Sequence, residues 1–66
     1  MKHSIKVHFC EDYFTYYRTI TIEASSLEDF ERQLDIWTEE IEKEAYEELV
    51  EIAGIKYDLP REWRIN

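Results

Sequence analysis

Residues 25–54 read SSLEDFERQLDIWTEEIEKEAYEELVEIAG and contain the longest periodic pattern in the chain. Apolar side chains recur about every 3.6 residues, which is the period of an α-helix. These positions are Leu27, Phe30, Leu34, Trp37, Ile41, Ala45, Leu49 and Ile52. The serine pair before Leu27 can cap a helix N-terminus, and Gly54 has the residue type that commonly ends a helix. The pattern predicts one helix from Leu27 to Ala53.

Two runs before this helix have the character of β-strands. Residues 4–10 alternate between an apolar face with Ile5, Val7 and Phe9 and a second face with Lys6, His8 and Cys10. A period of two is typical of a half-buried strand. After a turn at residues 11–13, the run from Phe14 to Ala24 is rich in β-branched and aromatic residues, which favour strands. The two runs predict an antiparallel hairpin.

The second run divides into two predicted faces. The inner face should hold Ile20, Ile22 and Ala24, and the outer face Tyr17, Thr19, Thr21 and Glu23. The same alternation turns Arg18 inward, where a charge is costly. A β-bulge near Tyr16–Arg18, or a position of Arg18 at the sheet edge, would resolve this conflict.

A third strand is predicted after Gly54, where Ile55, Tyr57 and Leu59 alternate with polar residues until Pro60. Trp63 and Ile65 could anchor a final short extension. The fold class is therefore α+β, a small antiparallel ββαβ sheet with one long acidic helix packed on one face. A chain of 66 residues allows one domain, residues 1–66.

Composition limits the location and the chemistry of the chain. Cys10 is the only cysteine, so no internal disulfide can form. No apolar run approaches the ~20 residues of a membrane span, and no signal-peptide pattern opens the chain. We therefore expect a soluble protein of the cytoplasm with no membrane partner.

Residues suited to catalysis or metal binding are few. His3, His8 and Cys10 are the only soft metal ligands, whereas a structural zinc site needs four ligands. Gly54 is the only glycine, so a glycine-rich phosphate loop is absent. We predict no enzymatic activity, no cofactor and no metal; a metal or thiol site at His8 and Cys10 is the weakest of three hypotheses.

The aromatic run Tyr13, Phe14, Tyr16 and Tyr17 has more than one interpretation. Aromatic side chains on an open sheet can stack nucleic-acid bases. A net charge of −8 would repel phosphate, however. The run is better explained as part core and part protein interface, and we predict no direct binding of nucleic acid.

Negative charge is concentrated in the predicted helix. Residues 27–53 contain eleven acids and two bases, a net charge of −9, while the rest of the chain carries +1. At ~100° per residue the acids fall into two rows on either side of a ridge. One row is Glu28, Glu31, Asp35, Glu39 and Glu42, and the other is Glu40, Glu44, Glu47 and Glu51. Neighbours within a row are about 5–6 Å apart at Cβ, close to the phosphate spacing of one DNA strand.

Small size, negative charge and this acidic helix together resemble a class of small acidic α/β proteins from bacteriophages and other mobile elements. Members of that class inhibit their targets by looking like DNA; the targets include restriction enzymes, CRISPR effectors, uracil-DNA glycosylase and nucleoid proteins. The resemblance implies a non-enzymatic inhibitor that acts in a host cytoplasm and binds a basic, nucleic-acid-binding protein through the two rows.

A second hypothesis assigns the acids no role beyond solubility. In this interpretation the chain is a homodimeric structural or regulatory module. Its interface would consist of Tyr46, Val50 and Ala53, which widen the apolar stripe, together with Tyr17 on the outer sheet face. The two hypotheses differ in the salt dependence that they predict for binding.

Overall fold

The central element is an eight-residue strand, β1, which pairs with a strand on each side. In the computed structural model, which describes residues 1–12 and 14–64, the elements are β1 (His3–Cys10), β2 (Tyr16–Ala24), α1 (Leu27–Glu47), β3 (Gly54–Tyr57) and a 3-10 turn (Arg61–Trp63). Both pairings are antiparallel, and the strand order is β2-β1-β3. The predicted α+β class and the ββαβ order are confirmed.

The core lies between the sheet and α1. Ile5 faces Ile22 across the hairpin, and Val7 faces Ile20, so one face of the sheet is apolar. The helix contributes Phe30, Ile41 and Ala45, all buried. The residues predicted inside from alternation in the two strands, and most of the helical stripe, do form this core.

Helix α1 begins where the sequence predicts. The Ser26 hydroxyl accepts a hydrogen bond from the Asp29 backbone N–H at 3.1 Å, which caps the first turn. Glu28 and Asp29 also place negative charge at the positive end of the helix dipole.

The predicted end of the helix at Ala53 is wrong, because α1 ends at Glu47. Leu49, with φ at 61°, takes the left-handed position expected for Gly54. The Val50 N–H donates to the Ala45 carbonyl at 2.8 Å and the Leu49 N–H to the Tyr46 carbonyl at 3.1 Å, the pair of bonds of a Schellman motif.

Pairing with β1 explains the early end of the helix. The Ala53 N–H donates to the Cys10 carbonyl at 2.8 Å, and Gly54 lies opposite Cys10 as the first residue of β3. These bonds require an extended chain before Gly54, so sheet formation overrides the helical period. Ile52 still packs against the core, but from this connection and not from the helix.

The hairpin contains the irregularity that the inward position of Arg18 predicts. The register shifts between Phe9 and Cys10, so that Phe9 faces Arg18 while Cys10 faces Tyr16. The skipped residue, Tyr17, packs against the core and not on the outer face, which corrects its predicted position. Tyr16 lies instead beside His8, with the two rings stacked at 4.2 Å between centroids.

Cys10 is more deeply buried than the alternation predicts. Alternation placed this side chain on the outer face with His8, but it is 1% exposed. Arg18, on the edge strand β2, reaches α1 and forms an ion pair with Glu44, at 2.5 Å between Nη2 and Oε1. Both predicted solutions, a bulge and an edge position, therefore occur together.

Side chains order both the hairpin turn after β1 and the C-terminal turn. In the hairpin turn, the Asp12 carboxylate accepts from the backbone N–H groups of Phe14 and Thr15, which hold the pKa of this carboxyl below its usual value. Tyr13 lies outside the described residues. In the C-terminal turn, Trp63 packs on Phe30, with 6.3 Å between ring centroids. Ile65 also lies outside the described residues.

In the described part of the chain, α1 is too polar to be a membrane-spanning helix, and no other helix has the length.

Candidate functional site: the acidic face of α1

An unbroken row of carboxylates follows one flank of α1. Its members are all exposed: Glu28, Glu31, Asp35, Glu39 and Glu42. They are spaced three or four residues apart, so they share one side of the helix. Because Phe30, Ile41 and Ala45 hold the opposite side against the sheet, the row cannot turn away from solvent without unfolding the core. We call this set the first acidic row.

The second predicted row is less regular. Glu40 and Glu47 are exposed on the helix, whereas Glu44 is half-buried and paired with Arg18. Glu51 is exposed but lies beyond the end of α1. The helix therefore brings together the whole first row and Glu40, Glu44 and Glu47 of the second, of which Glu44 is already paired with Arg18.

The charge density of α1 is high for a helix but lower than that of DNA. Its 21 residues contain nine acids and two bases, a net charge of −7. One of the bases, Arg32, is engaged by Asp29 at 2.6 Å. At ~1.5 Å per residue this amounts to about one net charge per 4.5 Å, against about one per 1.7 Å along a DNA duplex.

Exposed apolar side chains accompany the acids. Ile36 is 62% exposed, and Trp37, which was predicted inside, is also exposed. At the end of the helix Tyr46 is 80% and Leu49 94% exposed. Ile36 lies outside the periodic apolar stripe, so its exposure could have been predicted from the sequence. The exposure of Leu49 could not, because the sequence places it within the predicted helix.

The early end of the helix distributes the residues proposed for a dimer interface over different segments of the chain. Tyr46 is in the last turn of α1, Val50 is half-buried just after it, and Ala53 is exposed in the connection to β3. Tyr17 is half-buried in β2, where it packs against the core with Glu44 and Glu48 near its phenol. Tyr46 and Val50 nevertheless border the same two depressions, whereas Ala53 and Tyr17 line neither of them.

Tyr17 has the clearest electrostatic perturbation near the helix. Burial raises the pKa of its phenol above 10.0, the neighbouring Glu48 and Glu44 carboxylates raise it further, and Arg18 opposes them. The hydroxyl oxygen is itself inaccessible to solvent. A phenolate at this position would face two carboxylates, so the phenol stays neutral. A neutral, buried phenol is suited to packing and not to proton transfer.

The suggested thiol or metal site is not assembled. His8 Nδ1 lies 2.8 Å from the Thr19 hydroxyl, while the Cys10 thiol is buried and points to the His8 carbonyl at 3.8 Å. Within residues 1–12 and 14–64, no three or more His, Cys, Asp or Glu side chains are grouped so that they could hold a metal ion. The exposed carboxylates of α1, in contrast, are arranged in a way that suits electrostatic contact with a large partner.

Comparison with known proteins gives no match to a family model, to a curated protein or to a solved structure. Function is therefore inferred from the residues of this chain.

Proposed function

We propose that the chain is a non-enzymatic inhibitor that binds a basic, nucleic-acid-binding protein through the acidic face of α1. The contact residues are the first acidic row together with Glu40 and Glu47. Candidate partners are nucleases of host defence, CRISPR effectors, DNA-repair enzymes and nucleoid proteins. The observation that carries this proposal is the first row, five exposed carboxylates that extend over about 21 Å at ~1.5 Å per residue.

The cost of the row in stability supports a role beyond solubility. Asp35 and Glu39 stand four residues apart, and like charges at this spacing repel by about 0.2–0.5 kcal/mol. The last turn of α1 contains Glu47 and no basic residue, although its end of the helix dipole favours cations. Departures from local rules are commonly found at functional sites.

Rigid support also favours recognition of an extended partner. The row belongs to a helix whose opposite side is buried against the sheet, so the carboxylates keep their spacing without the partner. A preformed charged surface loses little entropy on binding and steers an oppositely charged partner during diffusion. Such binding weakens as salt concentration rises.

The test is affinity capture from a bacterial lysate at low salt, with stepwise elution by salt and then by duplex DNA. The variant Glu31→Lys/Asp35→Lys/Glu39→Lys reverses the centre of the first row. We expect it to lose the DNA-displaceable protein, with affinity for the purified partner reduced by about tenfold or more.

The matched control is Glu11→Lys/Glu23→Lys/Asp58→Lys, which changes net charge equally at exposed positions outside α1. It should retain the partner with nearly unchanged affinity. Equal losses in the two variants would mean that total charge and not the row governs binding. Retention of the partner by the row variant would contradict the proposal directly.

A further inference from the structure

Leu49 combines two properties that are unusual together. It has φ at 61°, a left-handed conformation that is unfavourable for a residue with a Cβ and that glycine adopts freely. Its side chain is also 94% exposed, so the left-handed backbone is held by the hydrogen bonds of the Schellman motif and not by packing of this side chain. A glycine at this position would satisfy the backbone, so the leucine places a large apolar side chain in solvent where the fold does not require one.

Leu49 is part of a larger apolar surface. Tyr46 is 80% exposed in the last helical turn, and it lines a shallow depression together with Leu49 and Val50. We call Tyr46, Leu49 and Val50 the helix-end patch. Isolated exposed apolar residues are common on proteins, but contiguous ones mark sites of interaction.

Carboxylates surround the helix-end patch. Glu47 and Glu51 border the depression that contains Leu49, and Glu42 and Glu51 border a second one beside Tyr46 and Val50. Two copies of the chain that met through this patch would bring these carboxylates together, and like charges across an interface strongly disfavour binding. The rim is complementary to lysine and arginine.

We infer that the helix-end patch is the anchor of the partner interface and that it inserts into an apolar pocket rimmed by basic residues. This inference rests on the proposed function, since Glu42 is the last member of the first acidic row and Tyr46 follows one turn later on the same side of α1. The row attracts the partner, and Tyr46 and Leu49 bury apolar area that slows its dissociation. Aromatic and apolar anchors inside a polar rim carry most of the binding energy in many interfaces.

The test uses two synthetic helical peptides of equal positive charge as probes. One has a leucine stripe flanked by lysines, and the other has alanine in place of each leucine. Each is titrated into isotope-labelled protein, with affinity and backbone chemical shifts measured. The leucine peptide should bind about tenfold more tightly or better, with its largest extra shifts at Tyr46, Leu49 and Val50.

The decisive variant is Leu49→Gly, which removes the side chain and fits the left-handed backbone. Its free energy of unfolding should therefore equal or exceed that of the wild type. It should bind both peptides with the affinity that the wild type has for the alanine peptide. Ile36→Ala, which removes an exposed apolar side chain elsewhere on α1, is the matched control and should keep the preference for leucine.

The outcomes separate this inference from the proposed function. If both peptides bind the wild type equally and the row reversal weakens both, the acidic row recognises cations and the helix-end patch is not an anchor. If neither peptide binds, both ideas fail. A concentration-dependent dimer that Leu49→Gly abolishes in sedimentation would overturn the inference in favour of a second copy as the occupant.

Discussion

Tyr17 shows how a single side chain connects the fold to pH. Burial, with Glu48 and Glu44 nearby, raises the pKa of its phenol in the folded protein above the value of 10.0 expected when unfolded. The folded state therefore holds this proton more tightly than the unfolded state. The resulting stability is complete below pH ~10 and is lost as the pH rises toward the folded-state pKa.

The variant Tyr17→Phe should lack this alkaline loss, because phenylalanine has no proton to release. Urea unfolding midpoints measured at pH ~7 and pH ~11 should fall less in the variant than in the wild type. Tyr46→Phe, which changes an 80% exposed tyrosine, serves as the control and should behave as the wild type. An equal fall in all three proteins would mean that the Tyr17 phenol does not contribute.

Single residues also mark what the sequence could not predict. Alternation correctly turned Arg18 inward, yet it could not choose between a bulge and an edge position, and the structure has both. The extra residue of a bulge reverses the faces of the side chains beyond it. Tyr17 therefore packs against the core and not on the predicted outer face. The ion pair of Arg18 with Glu44 could not be predicted, because it joins residues far apart in the sequence.

Among the elements, α1 was the most predictable at its start and the least predictable at its end. Its capping serine and first acidic turn are local signals, and local signals are readable in sequence. Its end depends on the hydrogen bond from the Ala53 N–H to the Cys10 carbonyl and on the pairing of Gly54 with Cys10, in a strand more than forty positions earlier. The apolar period continued past Glu47, so the sequence contained no local reason to stop there.

The end of α1 allows a prediction about charge. Glu47→Lys should stabilise the protein by about 0.3–1 kcal/mol, because a cation replaces an anion at the negative end of the helix dipole. Glu28→Lys makes the same change in net charge within the first turn and should destabilise by a similar amount. The free energy of unfolding in urea measures both. Shifts of the same sign would show that total charge, and not position on the dipole, dominates.

For the whole molecule, the core depends on very few large side chains. Phe30 is fully buried and touches both Tyr57 and Trp63, with ring centroids at 5.1 Å and 6.3 Å. It therefore joins α1 to β3 and to the C-terminal turn. The total stability expected for a chain of 66 residues is only about 3–10 kcal/mol.

Phe30→Ala should cost about 3–5 kcal/mol and leave the chain largely unfolded at 37 °C, as judged by near-ultraviolet circular dichroism and thermal unfolding. Ile36→Ala, on the exposed side of the same helix, should keep the wild-type midpoint within a few degrees. A folded Phe30→Ala protein would show that the sheet is stable without the central contact of α1.

The two sides of the molecule differ in charge. The helix carries a net −7, while the sheet face away from it presents Lys6, His8 and Lys56 together with Glu23, and the Lys56 ammonium lies 6.0 Å from the centre of the Tyr16 ring. The shortest dimension is 17 Å, about two Debye lengths at physiological salt. The proposed function therefore predicts that a basic partner is directed to the helix side before any contact forms.

Cys10 gives the fold a built-in reporter. Its thiol is 1% exposed in the central strand, at the point where β3 joins β1. A thiol-specific reagent can reach it only when these strands separate. The rate of labelling therefore measures how often the sheet opens. The same burial keeps neighbouring molecules from becoming cross-linked through this sulfur in air while the native sheet is intact.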